Sequence, residues 1–458
     1  MKIFNINLLK LISKIPFRQY SGEYRIYHFP GFANTSNKDN VGEKKQKKLH
    51  ISKTLGAASG ISDTLTAQNS APEHAIKSSP TKKSFTNLLL EGTTVVTNTN
   101  SKSPSGECAE KKVEKKPDKS KCLRAVPRLK WVNELPEDCR AKKTDIPTVK
   151  LRDGYVMPMF GLGTWLSPSA KVEKAVKHAL KVGYRMIDCA HAYENEEAVG
   201  KAIKKSIEKC IVKRDELFIT SKLWNTFHDP HLVMSACRQS LCDLNLSYLN
   251  LYLIHWPMGY RAGDELIPYD ACGRVIGTRV DYVETWKAME ELVARRLTRS
   301  IGLANFNKHQ IERIWKIAKI KPVVNQVECH PYFNQKRLMA YLKKKGIVLI
   351  AYSPLGAPAR PWVKKDEPNV LHDNLIKTIA FNTGRTPAQI CIRYQIQRGN
   401  AVIPKSVTPS RIESNFDVTN FELSDEEMKI IDKLDKKIRR VSLSMLANHP
   451  HYPFNDKF

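Results

Sequence analysis

The sequence predicts an α/β fold: a parallel (β/α)8 barrel of the TIM type, entered through an N-terminal β-hairpin and preceded by a long basic tail. Three observations carry this. Eight short apolar runs alternate with helical patterns from residue 159 to residue 406. The regular part of the chain, from about residue 145 onward, is about 310 residues long, enough for one large α/β domain. Three consecutive apolar runs, YRMIDCA (184–190), LFITSKL (217–223) and LNLYLIHWP (249–257), each deliver one titratable side chain near the carboxyl end. Parallel barrels and sheets keep their chemistry there.

The elements follow in order. TVKLRDGYVMP (148–158) alternates around Asp153-Gly154, a pair suited to a tight two-residue hairpin turn. The eight strands are then expected at MFGLG (159–163), YRMIDCA, LFITSKL, NLYLIHW, RSIGLAN (299–305), PVVNQVE (322–328), IVLIAYSP (347–354) and AVIPKS (401–406). Between them, KVEKAVKHALKVG places Val172, Ala175, Val176, Ala179 and Leu180 on one helical face and stops at Gly183, a residue suited to ending a helix. VETWKAMEELVARR (283–296) and TPAQICIRYQIQRG (386–399) behave likewise. SDEEMKIIDKLD (424–435) opens with Ser424 and Glu427, a capping box. A doubly wound sheet is the alternative topology for such alternation.

Residues 1–144 differ in kind. They are rich in Lys, Ser, Thr and Asn, with lysine clusters at 43–48 and 110–121, and carry few apolar clusters, so they are expected to be largely disordered. The chain thus divides into a basic extension (1–144) and a folded region (145–458). Its formal charge of +29 attracts polyanions in general. The lysines of the tail lack interleaved aromatic residues, so no specific nucleic-acid partner is expected. The ten cysteines form no C-x-x-C pair and no metal-ligand spacing, and read as reduced thiols, with Cys189 and Cys329 filling core positions. No metal is expected, and no apolar run is long enough to span a bilayer. MKIFNINLLKLISKIPFRQYS (1–21) is basic, amphipathic and free of acids, in the manner of a mitochondrial transit peptide. An untargeted start reads equally from the same residues, so both a cytoplasmic and a mitochondrial location stay open.

Barrel geometry would bring Asp188, Lys222 and His255 together at the mouth, with Tyr193 on the loop after Asp188. A phenol titrates at about pH 10 and is inert at neutrality unless its surroundings intervene. The Lys222 ammonium is expected to lower that value, Asp188 to hold the lysine, and neutral His255 to orient a substrate oxygen. Taken singly, these residues read as a rim ion pair, a loop aromatic and a core histidine. Taken jointly on consecutive strands, they read as a proton relay facing a carbonyl.

The segments GLGTW (161–165), DCAHAYENEEAVG (188–200), SKLW (221–224), LIHWP (253–257), GLANFN (302–307), NQVECHPY (325–332), AYSPLG (351–356) and IPKSVTPSRIESN (403–415) resemble the aldo-keto reductases, in particular the aldose and aldehyde reductase branch. The resemblance runs from about residue 147 to the closing YPFNDKF, and the basic tail has no counterpart in it. It implies NADPH-dependent reduction of aldehydes or ketones to alcohols, with Tyr193 as general acid, Lys222 lowering its pKa, Asp188 supporting the lysine and His255 orienting the carbonyl. It further implies that Asn305 and Gln326 hold the carboxamide of the cofactor, that Tyr352 stacks on its nicotinamide, that Ser353 and Leu355 line the pyrophosphate path, and that Trp165 and Asn415 also border the cofactor.

The phosphate end is legible from residue chemistry too. There is no G-x-G-x-x-G after a strand, so a Rossmann site is not expected. Instead Lys405 and Ser406 close the last strand, and Thr408-Pro409 opens a helix with Arg411 in its first turn. Free N–H groups at a helix start together with two cations suit a 2′-phosphate, favouring NADPH over NADH. Trp165, Trp256 and Trp362, with Leu266 and Ile267, are expected to wall an apolar cleft for uncharged or aromatic carbonyl substrates, and Ser442–His451 to form the specificity loop usual in the family. Several positions depart from the branch. Ala304 stands where a serine is usual, and Ser414 where an acid is common. Leu166 and Ala359 occupy the places of a lysine and an acid that latch a loop over the cofactor, which implies a looser clasp. Nothing in the motifs demands a protein partner, so a monomer acting on a small-molecule carbonyl is expected. A cofactor-binding sensor or structural protein on the same barrel is the alternative function.

Overall fold

The computed structural model describes residues 145–456; the basic extension and its transit-peptide-like start lie outside the described residues. The chain enters through an antiparallel hairpin, β1 (Thr148–Lys150) and β2 (Val156–Pro158). Eight parallel strands follow: β3 (Leu162–Gly163), β4 (Met186–Asp188), β5 (Phe218–Leu223), β6 (Leu249–Ile254), β7 (Thr298–Ala304), β8 (Val324–Glu328), β9 (Val348–Tyr352) and β10 (Ala401–Val402). Each of the eight expected runs supplies one of them. The helices are α1 (Ser169–Val182), α2 (Glu196–Glu208), α3 (Pro230–Leu244), α4 (Tyr282–Ala294), α5 (Lys308–Ile317), α6 (Lys336–Lys345), α7 (Asn374–Thr383), α8 (Pro387–Gln397), α9 (Pro409–Phe416) and α10 (Asp425–Asp432).

Strand neighbours follow chain order from β3 to β10. The ring closes where Phe160 pairs with Val402 and Gly163 with Lys405, sealed by Gly161 N to Val402 O (2.9 Å) and Gly163 N to Pro404 O (3.1 Å). Closure excludes the doubly wound alternative. Gly163 sits on this seam because a β-carbon there would lie 2.8 Å from the Ile403 carbonyl oxygen.

The core has two layers. Between sheet and helices, Val172, Val176, Ile203, Leu241, Trp286 and Ile314 pack on the outward residues of the strands. Inside the ring, Met186, Phe218, Leu251, Leu253, Val324 and Ile350 fill the lower levels, and Leu151 and Met157 of the hairpin plug the bottom. Strand alternation then dictates what the top level holds. Counting in twos from Phe218 reaches Lys222, and from Leu251 it reaches His255. Period two therefore turns a lysine into the barrel.

Several expectations are refined. The capping box of Ser424 and Glu427 forms, and Gly183 ends α1 at φ 130°. The hairpin turn is wider than expected: Leu151 N bonds Tyr155 O, and Gly154 N bonds Leu151 O, leaving three residues in the loop. Gly154 takes φ 94°, the left-handed position of such a three-residue turn. Cys189 and Cys329 are buried core residues one position beyond their strands. Cys189, Cys237, Cys272, Cys329 and Cys391 are free, whereas Cys210 and Cys242 are disulfide-bonded, which corrects the expectation of reduced thiols for those two. Among the described residues no helix is long and apolar enough to cross a membrane.

Gly163→Ala forces a methyl group against a backbone carbonyl at the seam, and a loss of about 1–3 kcal/mol is expected. Urea denaturation checks it; an unchanged midpoint would contradict the close approach.

Candidate active site

Lys222 is fully buried at the top of β5. An ammonium has three protons to donate, and each finds an acceptor: Asp188 Oδ2 at 2.7 Å, the Cys189 carbonyl oxygen at 2.7 Å and the Tyr193 phenol oxygen at 3.2 Å. Asp188, at the end of β4, is fixed from its other oxygen by Gln326 Nε2 at 2.8 Å, reaching across from β8. Tyr193 comes from a single 3-10 turn, His191–Tyr193, that leaves β4 and folds back over the mouth. His255, one residue past β6, meets the Tyr193 ring edge-to-face at 5.8 Å. All four candidate relay residues are thus brought into one cluster.

The electrostatics correct one expectation. Burial pushes the Tyr193 hydroxyl well above the ordinary phenol range, and the negative charge of Asp188 adds to it. The net effect is upward despite the contact with Lys222, so the resting phenol keeps its proton at neutral pH. Because Lys222 donates to the phenol oxygen, that proton is left to point away from the lysine. His255 moves the other way: burial first, and the nearby Lys222 second, hold its imidazole well below its usual range, so it is neutral. Its Nδ1 is buried without a partner among the described residues.

The other candidates divide into a polar edge and an apolar wall. Asn305, in the left-handed region at φ 65°, donates from Nδ2 to the His255 carbonyl oxygen (2.9 Å) and accepts from the Tyr352 hydroxyl (2.8 Å). Gln326 is buried beside it, and Ala304 is buried in the barrel interior. Ser353 follows Tyr352 at φ 48°, and Leu355 packs partly on the outer core. Lys405 and Gly163 are bridged, and Gly163 is in register with Asp188, which sets Lys405 and Asp188 on either side of β3. Thr408 caps α9 without a side-chain bond to its N–H groups. Ser406 accepts from Thr408 N at 3.1 Å, Asn415 is buried, and Arg411 is exposed. Neither Lys405 nor Arg411 has a carboxylate partner among the described residues. Lys405 is exposed at its surface, but partial desolvation, with Lys171 nearby, lowers its pKa. Two cations without a carboxylate partner among the described residues, a helix start with no side-chain cap and buried amides form a donor set that fits a phosphate-bearing carboxamide cofactor.

The wall is one apolar cluster. Trp256 and Ile267 are buried in it, and Trp165, Tyr193, Leu266, Tyr352 and Trp362 pack against it. Trp165 and Trp362 rings lie 6.0 Å apart. The segment expected to form the specificity loop contributes Leu443, Met445 and Leu446. Sequence reasoning missed Trp224, whose ring meets His255 edge-to-face at 5.2 Å and whose indole donates to Leu266 O at 2.6 Å. Its place two residues past Lys222 was the signal.

Glu196 lies just behind the relay, buried at the start of α2, and accepts from Ser221 Oγ (2.6 Å) and Ser240 Oγ (2.8 Å). With His191 and Asp243 it forms the one cluster of potential metal ligands among the described residues, with ligand atoms within 4.8 Å of one another; both its oxygens are engaged by the serines. Burial raises its pKa to about 7. An acid whose folded pKa is raised binds its proton more tightly when folded. That stability is complete below the unfolded value and is lost as pH climbs through about 7. Glu196→Gln, which mimics the protonated acid, should therefore gain on the wild type between pH 5 and pH 8 by on the order of 3 kcal/mol. Urea midpoints at both pH values measure this; a pH-independent difference would refute it.

The barrel region is similar to known proteins. The sequence profile of the aldo/keto reductase family matches residues 159–436. Aldo-keto reductase family 1 member A1-A of Danio rerio is 49% identical over 321 residues, covering 68% of this chain and 99% of that protein. Aldo-keto reductase family 1 member A1 of Homo sapiens is 47% identical over 321 residues, covering 68% and 98%. The aldose reductase structure from Schistosoma japonicum superimposes with a TM-score of 0.65 at 42% identity, covering 68% of this chain and all of that one. With its closed barrel and its family motifs in order, the chain belongs to the aldo/keto reductase family of oxidoreductases.

Proposed function

We propose that the chain reduces aldehydes and ketones to alcohols with NADPH, using Tyr193 as the general acid. The observation that carries this is the three-way bonding of Lys222 to Asp188, Cys189 and Tyr193 inside the barrel. When bound, NADPH supplies the hydride that reaches the carbonyl carbon. Asn305 and Gln326 would hold its carboxamide, Tyr352 its ring, Ser353 and Leu355 the pyrophosphate path, and Lys405, Ser406, Thr408, Arg411 and Asn415 the phosphate-bearing end, with Trp165 alongside.

The residues of the chain handle the proton. Tyr193 starts protonated, as an acid must, and gives its proton to the carbonyl oxygen as negative charge develops there. The phenolate so formed lies 3.2 Å from the Lys222 ammonium. That attraction is far stronger in the transition state than in the resting site, which is the condition for an interaction to accelerate chemistry. Asp188 keeps the ammonium in place, and neutral His255 donates to the same substrate oxygen. The Trp256, Trp165 and Trp362 wall favours uncharged or aromatic carbonyls and excludes water from the proton's path. In this proposal residues 145–458 act as a monomeric catalytic barrel.

Tyr193→Phe removes the proton but keeps the ring. Loss of NADPH absorbance with a simple aromatic aldehyde should slow by at least about a hundredfold, with NADH less effective than NADPH in the same assay. Equal rates for the variant and the wild type would eliminate the proposed acid.

A further inference from the structure

Neither Leu166 nor Ala359 carries a charge, yet the loop that follows β9, residues 353–369, is held firmly at another place. Glu367 on this loop bridges two nearly buried arginines, Arg360 from the same loop and Arg440 from the start of the C-terminal segment. Arg440 also donates from Nη2 to the Pro368 carbonyl oxygen at 2.5 Å and accepts from the Trp362 indole at its own carbonyl oxygen at 3.0 Å. Its backbone is fixed in turn. Glu328, fully buried at the end of β8, accepts from Arg440 N at 2.7 Å and from Val441 N at 2.9 Å. His330 shares Glu328 Oε1 at 3.0 Å.

This network joins three parts of the site. The loop starts just past Tyr352, carries Ser353 and Leu355, all three candidates for holding the cofactor, and also carries Trp362 of the substrate wall. The C-terminal segment runs directly from Val441 into Leu443 and Leu446, which pack in the same wall. Glu328 roots both in the barrel, one residue pair beyond Gln326. One carboxylate, Glu367, bridges two guanidinium groups, so removing either arginine leaves a one-to-one pair, whereas removing the carboxylate strands two buried cations.

We propose that Arg440 is a positioning residue that clasps the cofactor-side loop to the substrate-side C-terminal segment, so that cofactor release and the shape of the substrate pocket are coupled through one side chain. The clasp takes the place of a latch between positions 166 and 359. This rests on the reading of the groove as an NADPH site. It predicts that loosening the Arg440 side chain speeds cofactor release and weakens substrate binding together, while the relay itself is untouched.

The test uses the full chain and follows NADPH fluorescence by stopped flow as the bound cofactor is chased with excess NADP⁺. Arg440→Met should raise the dissociation rate by about fivefold or more and raise KM for a bulky aromatic aldehyde more than for a small aliphatic one. Arg440→Lys, which keeps a cation, should recover most of the slow release. Leu166→Lys/Ala359→Asp placed in the Arg440→Met background should also restore it. If Arg440→Met does not fold, Trp362→Phe, which removes the indole bond to the Arg440 carbonyl oxygen, should accelerate release in the same direction. Release at the wild-type rate from a folded Arg440→Met or Trp362→Phe protein would overturn the clasp while leaving the cofactor assignment standing. Failure of the wild type to bind NADPH at all would overturn the cofactor assignment and the clasp with it.

Discussion

A buried ammonium against a buried carboxylate is what the rest of this molecule is arranged around. Stripping water from either charge alone is costly, by several kcal/mol even after relaxation. The barrel tolerates Lys222 only because Asp188 is 2.7 Å away and because every remaining donor and acceptor of the pair is used. Gln326 takes the second oxygen of Asp188, and the Cys189 carbonyl takes the second proton of the lysine. The third proton has one acceptor in reach, the phenol of Tyr193. Satisfying the pair and placing the tyrosine are therefore the same structural event.

The surroundings then set how that contact behaves. Tyr193 and His255 are both held in uncharged forms by burial, one as a donor with its proton and one as an imidazole. The apolar cluster of tryptophans and C-terminal leucines keeps the local dielectric low, which strengthens any charge interaction that appears during reaction. The ammonium contributes little to a neutral phenol and much to a phenolate. A high resting pKa for Tyr193 and a nearby cation are thus compatible, and together they describe an acid that holds its proton until oxygen demands it.

Much of this was legible because strand periodicity and side-chain chemistry coincide. A lysine ending an apolar run is surprising on its own terms, and period two sends it inward along with His255. The eight runs, the helix stop at Gly183 and the helix start at Ser424 follow from equally local rules. What escaped depends on contacts between distant segments or on burial. Glu328, Glu367 and Arg440 look like ordinary surface charges in sequence, and only the closed barrel brings positions 112 residues apart within 2.7 Å. The net direction at Tyr193 depends on desolvation, which no spacing reports. The hairpin turn was misjudged by a residue because Asp-Gly serves both the two-residue turn and the three-residue loop with glycine in the left-handed region. Nothing in the spacing of the cysteines singled out Cys210 and Cys242.

The sharpest test removes the cation and keeps its volume. In Lys222→Met, single-turnover reduction of an aromatic aldehyde at saturating NADPH should fall by at least about a hundredfold, with NADPH affinity within about twofold of the wild type. A folded variant that reacts at nearly the wild-type rate would show that the ammonium is not what makes Tyr193 an acid.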